Sequence, residues 1–369
     1  MKKHLVPLVL AALLVLVSCG TANKAGTGTA TAAKTSANAA TAEKRYQAYA
    51  IGFYNLENLF DTVHDYAPDG SDKNDYEYLP DGKNRWNGLK YTSKLKNMST
   101  VLSQLGTSVL PGGCCVVGVT EIENRRVLED LLQQPALKDR NWQIAHVESP
   151  DYRGIDCALL YDPTQFQMET ISYPLYWRED GSLYHTRGFL TVGGLLAGER
   201  VHFIVNHWPS RFADSPARER AGLLVREVKD SILAVYPGSS VIVMGDLNDD
   251  PDDKSLTEGL GAKKTKAEVT TDDGMFNPWW KTLRDDGVGT LKYDGKWNLF
   301  DQIVLSGHLV NGDRSTLEFW KNEIFVRDYL IQQEGKYKGN PLRTAASGVW
   351  MNGYSDHLPT TVYLVKEVK

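Results

Sequence analysis

The stretch Val241-Ile242-Val243-Met244-Gly245-Asp246-Leu247-Asn248-Asp249-Asp250-Pro251 constrains this chain more than any other. Four uncharged residues, three of them β-branched, read as a strand buried on both faces. The glycine and the acid-rich turn after it end that strand. Side-chain alternation puts Asp246 and Asn248 on one side, at the C-terminal end where loops begin. An ionised carboxylate in such a place needs a cation, a proton donor or water. An Asx-rich turn capping a buried strand would look the same. The two readings separate because other apolar runs in the chain also end in short polar clusters.

In chain order the first of these runs is Tyr46 to Tyr54, followed by Asn55-Leu56-Glu57-Asn58-Leu59-Phe60-Asp61. From His64 to Asn87 the chain is polar and acid-rich, with Asp-Gly pairs at 69–70 and 81–82, and reads as a solvated surface loop. Leu95, Met98, Val101, Leu102 and Leu105 form a helical stripe over Lys90 to Leu105, with Gly106 as its stop. A strand from Cys114 to Val119 leads to Thr120-Glu121-Ile122-Glu123-Asn124, and Glu121 falls where Asp246 falls on its own strand. Further strands are expected at Ile155 to Tyr161 and Val201 to Val205, the second ending Asn206-His207-Trp208-Pro209-Ser210-Arg211. Ser215-Pro216 should open a helix, serine as N-cap and proline at the first position, with a stripe of Ala221, Leu224, Val228 and Ile232. Leu299 to Leu305 is a late strand containing Asp301, and Ser355-Asp356-His357-Leu358-Pro359 precedes the last, Thr360 to Val365. Strands alternating with a few helices, and no repeat, mean α/β with one core.

The N-terminus reads as an address. Lys2 and Lys3 precede an apolar run, Leu5 to Val17, too short to anchor stably across a bilayer. It ends Leu16-Val17-Ser18-Cys19, which resembles a bacterial lipobox, so residues 1–18 are expected to be a signal peptide and Cys19 the lipidated residue. By the same resemblance, Gly20 fits sorting to the outer membrane, on its periplasmic or its surface face. Residues 19–44, rich in Thr, Ala and Gly, are expected to form a flexible tether, and residues 45–369 the catalytic domain. Beyond Cys19 only Cys114, Cys115 and Cys157 remain, either buried thiols or at most one disulfide to Cys157. A formal charge of −5 gives no global attraction to a nucleic-acid backbone. A metal site could supply positive charge locally.

Taken together, Asn55, Glu121, His207, the Asp246/Asn248 pair, Asp301 and Ser355-Asp356-His357 resemble the ordered motifs of the endonuclease/exonuclease/phosphatase superfamily. Gly-Asp-Leu-Asn and Ser-Asp-His-Leu-Pro are the most specific, and the resemblance runs from Tyr46 to the C-terminus. It implies an α/β fold, a four-layer α/β/β/α sandwich of two packed mixed β-sheets with helices outside. It also implies a Mg²⁺- or Mn²⁺-dependent hydrolase of phosphate esters, with Glu121, Asn55 and Asp301 at the metal. Asp246 would orient or deprotonate the attacking water, Asn248 fix phosphate or water, and His357, paired with Asp301, stand at the phosphate. His207 is a second imidazole, as in the deoxyribonuclease and sphingomyelinase branches, with Asp156 as its expected partner. Arg211, Arg153, Asn206 and Asp356 are the expected substrate contacts.

The leading expectation is a monomeric, lipid-anchored phosphodiesterase with nucleic acid as a plausible substrate. The alternatives are a phosphomonoesterase, a sphingomyelinase-like phospholipid diesterase, and a binding lipoprotein without catalysis. Substrate choice should lie in the acidic loop after Asp61 and in Gly274-Met275-Phe276-Asn277-Pro278-Trp279-Trp280. Tandem tryptophans there could stack a ring or pack under a loop.

Overall fold

In the computed structural model, which describes residues 44–368 apart from Pro68 and Ser347, the opening stretch is a strand with no exposed side chain. Ile242 and Met244 face one apolar layer, and Val241 and Val243 face another. That alternation is possible only if the strand lies between two packed layers. Each such side chain contributes about 1.5–3 kcal/mol on burial.

The strands in chain order are β1 (Arg45–Leu59), β2 (Val116–Ile122), β3 (Gln143–His146), β4 (Asp156–Tyr161), β5 (Phe166–Ser172), β6 (Leu190–Leu196), β7 (Glu199–His207), β8 (Ser240–Asp246), β9 (Ala262–Lys263), β10 (Met275–Phe276), β11 (Leu291–Tyr293), β12 (Lys296–Asn298), β13 (Asp301–Ser306), β14 (Glu318–Ile324), β15 (Ala345–Ala346), β16 (Val349–Trp350) and β17 (Thr360–Val368). The helices are α1 (Gly88–Leu102), α2 (Arg125–Leu132), α3 (Ser215–Val235) and α4 (Trp279–Arg284). One sheet has the order β14-β17-β1-β2-β4-β3 and the other β5-β6-β7-β8-β13-β10-β9. Both are mixed, with β1 parallel to β2 in the first, β7 parallel to β8 and β9 parallel to β10 in the second, and the other pairs antiparallel.

Ile51, Phe53, Phe203, Val205, Ile242 and Met244 fill the space between the sheets. Leu95, Met98 and Leu102 of α1, with Leu128 and Leu131 of α2, cover the outer face of the first sheet. Ala221, Leu224 and Val225 of α3 cover that of the second. The result is the expected α/β/β/α sandwich. Two glycines permit close approach inside it. A Cβ on Gly118 would meet Met244 Sδ at 2.5 Å across the sheets, and one on Gly245 would meet the Asn206 carbonyl oxygen at 2.3 Å. The glycine of Gly-Asp-Leu-Asn is therefore demanded by the neighbouring backbone of β7.

The local expectations hold with several corrections. The N-cap of α3 is Asp214, and Ser215 is its first helical residue, its hydroxyl donating to Glu219. Cys114, Cys115 and Cys157 are all free and buried. Cys114 lies on the outer face of its sheet, while Cys115 and Cys157 lie between the sheets. The acid-rich segment after Asp61 is less solvated than its composition suggests. Lys73, Asp75 and Trp86 are buried, Asp75 against His64 Nδ1 at 2.5 Å and Lys73 against Glu148 at 2.7 Å. Cys19, the signal peptide and nearly all of the tether fall outside the described residues.

Candidate active site

The strand directions bring the polar clusters to one edge of the sandwich. The C-terminal ends of β7 and β8 meet the N-terminal end of β13, in register His207–Asp246–Asp301. Residues in register across neighbouring strands share a face, so this row points one way. β1 and β2 end beside it, and β17 starts three residues after His357.

Backbone geometry at this edge is unusual. Glu57, Asn58, Glu121 and Asn248 all have positive φ, between 47° and 59°. Glu121 also sits at a register shift between Thr120 and Ile122. A bulge with a left-handed residue re-aims a side chain that regular pleating would direct elsewhere, at a cost of order 1–3 kcal/mol. Here it turns the Glu121 carboxylate toward Asp246 and His207.

Asn55 Nδ2 donates to Glu121 Oε1 at 3.2 Å and to Asp246 Oδ2 at 3.0 Å. Asn58 N–H donates to the other Glu121 oxygen at 3.0 Å. His207 Nε2 stands 3.6 Å from Asp246 Oδ2 and 3.8 Å from Glu121 Oε1. On the opposite side, His357 Nε2 lies 3.8 Å from the same Asp246 oxygen, and its Nδ1 is 2.7 Å from Asp301 Oδ2. Ser355 ties the histidine loop to β1 by donating to Asn55 O at 2.8 Å and accepting from His357 N–H at 3.1 Å. Asn248 donates through Nδ2 to Trp208 O at 3.0 Å, and its backbone N–H donates to Asp246 Oδ1 at 3.1 Å.

Burial tunes these groups against one another. Asp246 is pushed up to about 7, first by burial and then by Asp301 and Glu121, with His357 opposing. Burial acts to lower the His357 pKa, but Asp301 and Asp246 outweigh it and hold the ring charged, well above the usual range. His207 is held well below its ordinary value by burial and by Arg187, Arg153 and His357. One imidazole is thus charged and the other neutral, on either side of one carboxylate.

A divalent cation fits this set. Glu121 and Asp246 supply hard carboxylate oxygens beside His207, Asp301 supplies another beside Asp246 and His357, and Asp301 Oδ1 is buried with no hydrogen-bond partner. The like-charge crowding that raises Asp246 is the electrostatic demand a cation satisfies. Asn55, expected as a ligand, is turned the other way. Its Oδ1 accepts from Glu57 N–H at 2.8 Å, a donor that only an oxygen can satisfy, so its nitrogen faces the carboxylates and orients them.

Three further expectations are corrected. Asp156 does not partner His207: its Oδ2 bonds His146 Nε2 at 2.8 Å, and its Oδ1 accepts from Ser149 N–H at 2.9 Å. Asn206, one position out of phase with His207, points away from the site. It bonds Ile204 O and Met244 O and accepts from Trp208 Nε1. Arg211 is turned to the acidic turn behind the site, 2.9 Å from Asp253 and 3.6 Å from both Asp249 and Asp250. Arg153 does line the cleft. Asp356 borders the site, 4.0 Å from His357 Nε2, and accepts from Arg343 Nη2 at 2.9 Å. Of the tandem tryptophans, Trp279 resolves as packing: it is fully buried and donates to Ile303 O at 3.1 Å.

The site forms the floor of a cleft of about 710 Å³ whose walls include Tyr152, Arg153, Arg178, Arg187 and Phe212. Sequence reading missed Arg187, Arg178 and Arg343. Arg187 is buried, donating to Asp151 at 2.8 Å and to Trp208 O at 3.0 Å. Arg343 links Glu57, at 2.9 Å, to Asp356. None sits beside a recognisable motif. Only the tertiary fold assigns them.

Comparison with known proteins agrees with this geometry. A family model described as "Endonuclease/Exonuclease/phosphatase family" matches residues 50–366. No curated protein matches the chain by sequence. Among solved structures, an endonuclease/exonuclease/phosphatase family protein from Bacteroides thetaiotaomicron superposes with a TM-score of 0.53 at 15% identity, covering 88% of this chain and 98% of that one. A mannosyl-6-phosphatase of the same organism gives 0.52 at 14% identity, with 86% and 99% covered. A humanised TDP2 from D. rerio gives 0.50 at 13%, with 86% and 98% covered. These similarities speak to the fold, and the family match speaks to membership: the chain belongs to the endonuclease/exonuclease/phosphatase family, hydrolases of phosphoester bonds that use divalent metals.

Proposed function

We propose that the protein is a Mg²⁺- or Mn²⁺-dependent phosphodiesterase acting on single-stranded nucleic acid outside the cytoplasm. The observation that carries this reading is the row His207–Asp246–Asp301, with His357 against it, at the floor of the cleft. The cleft walls carry Arg153 and Arg178 beside two exposed aromatics, Tyr152 and Phe212. Arginine interleaved with free aromatic faces suits a phosphate backbone with stackable bases.

Glu121, Asp246 and Asp301 would hold the ion, which when bound polarises the phosphate and offsets charge on the leaving oxygen. Asp246 orients the attacking water and accepts its proton. Asn248 hydrogen-bonds that water or a phosphate oxygen. Charged His357, held by Asp301, donates to the phosphate, and neutral His207 hydrogen-bonds from the other side.

The test is a metal-supplemented screen of plasmid DNA, single-stranded DNA, RNA, sphingomyelin, bis(p-nitrophenyl) phosphate and p-nitrophenyl phosphate. Turnover of the diesters, with single strands preferred, is expected. Turnover of the monoester alone would place the protein among phosphatases, and turnover of sphingomyelin alone among phospholipid diesterases. We further propose that a domain from about residue 45 is tethered to the outer membrane through lipidated Cys19 and acts as a monomer. Cys19→Ser should release the protein from the membrane pellet after a carbonate wash with turnover unchanged. Retention in the pellet would refute the anchor.

A further inference from the structure

Two cavities border the elements that carry the site. One is the 710 Å³ cleft, and the other is a pocket of about 240 Å³. Asn58 joins them, since its backbone N–H holds Glu121 while the residue itself lines the pocket. Arg343, another lining residue, reaches the His357 loop through Asp356.

The pocket is built mainly by residues 76–90, most of them in the acid-rich segment after Asp61, and by the β15–β16 hairpin. An aromatic chain runs along its wall. Phe60 stacks on Tyr78 at 4.2 Å, Tyr78 meets Trp86 edge-on at 5.9 Å, and Trp86 meets Trp350 edge-on at 5.5 Å. Trp86 is fixed by its Nε1 donating to Phe60 O at 2.9 Å. Trp350 remains partly exposed, with the Lys90 ammonium 5.7 Å from its ring centre. Two of the three cations on the lining have an acidic partner, Lys83 with Glu77 at 3.4 Å and Arg343 with Glu57 at 2.9 Å, while Lys90 donates to the neutral Asn84 carbonyl at 2.7 Å.

The pocket therefore offers a second phosphate at most one ammonium, itself already held by a backbone carbonyl. Aromatic walls with polar groups between them suit an uncharged ring with hydrogen-bonding edges, and the volume admits one ring system. We infer that this pocket is a subsite for the ring, nucleobase or sugar, carried on one ester arm of the substrate, so that the phosphate lies between the pocket and the cleft. The inference rests on the phosphodiesterase reading above. It adds the recognition element that a minimal diester lacks.

The test is calorimetric titration of the full chain, in Mg²⁺, with methyl phosphate, thymidine 5′-phosphate and glucose 6-phosphate. At least one ring-bearing ester should bind about tenfold more tightly than methyl phosphate, and the ester that gains identifies the ring. Trp350→Ala should remove that gain and leave the methyl phosphate Kd unchanged. Asn84→Ala, on a different segment, should reduce the same gain and covers the case of a misfolded hairpin. No gain for either ester, a gain that survives both substitutions, or an equal loss for all three ligands would overturn the assignment. Turnover of bis(p-nitrophenyl) phosphate separates the two readings. A Trp350-dependent gain without turnover defeats the hydrolase reading alone, and turnover without the gain defeats the subsite alone.

Discussion

Asp301 and His357 lie 56 positions apart in sequence and share a 2.7 Å hydrogen bond from ring Nδ1 to carboxylate Oδ2. Both are buried, and the second carboxylate oxygen of Asp301 is left without a partner. One carboxylate therefore holds the imidazole charged and keeps a second, unpartnered oxygen. The rest of the site is arranged around that pair.

If the carboxylate cluster is the cation site, Mg²⁺ or Mn²⁺ should raise the melting temperature by a few degrees, as expected for a ligand near 100 times its Kd. Turnover should vanish on chelation and return with either ion. Glu121→Gln and Asp246→Asn should abolish the metal-induced rise without lowering the metal-free melting temperature, because each removes a negative charge from a crowded cluster. An unchanged rise in both variants, measured by scanning calorimetry, would place the ion elsewhere.

The two candidate arginines should separate cleanly. Arg153→Ala, on the cleft wall, should raise KM roughly tenfold through loss of a phosphate contact, with stability unchanged. Arg211→Ala should leave kcat/KM within about twofold. It should lower stability by up to about 1 kcal/mol, since a half-exposed cation is lost from Asp249, Asp250 and Asp253. A large loss of turnover in Arg211→Ala would restore it to the substrate site.

Much of this arrangement was legible in the sequence, and the failures have physical causes. Asp246, Asp301 and His207 each end or begin a buried strand, His357 lies three residues before one, and such polar residues stand out against apolar runs. Glu121 was found by the same signal, although its orientation depends on a left-handed bulge that no composition reveals. Asn206 was over-read because motif adjacency ignores the alternation of a strand: beside His207, it must face the other way. Asp156 and Arg211 were misassigned because their partners come from tertiary neighbours, His146 from the adjacent strand β3 and Asp253 from the turn after β8. Strand β5 escaped notice because it is an edge strand with exposed polar residues, and β6 because Gly193 and Gly194 break its pattern.

Buried His202, on β7, gives the fold a defined acid sensitivity. Both ring nitrogens lack partners, and burial, then Arg200, depresses its pKa to about 4 from 6.5. Between those values the unfolded chain binds more protons than the folded one, so stability falls as pH is lowered through that window. His202→Leu should flatten the decline in melting temperature between pH 6.5 and 4. The same slope in both proteins would contradict the assignment.

The most direct test of the central claim is the pair of histidines, measured for turnover of bis(p-nitrophenyl) phosphate and for unfolding on the same preparations. His207→Ala and His357→Ala should each reduce kcat roughly 10²-fold or more with the fold nearly intact, the scale of general acid–base catalysis. Asp301→Asn should resemble His357→Ala, because it removes the charge that holds the ring protonated. Since both rings act on one transition state, the double variant should lose less than the product of the single losses. The contrary result is a lowered melting temperature with unchanged turnover per folded molecule at both positions. That outcome would make the histidines packing residues and remove the catalytic site from this account.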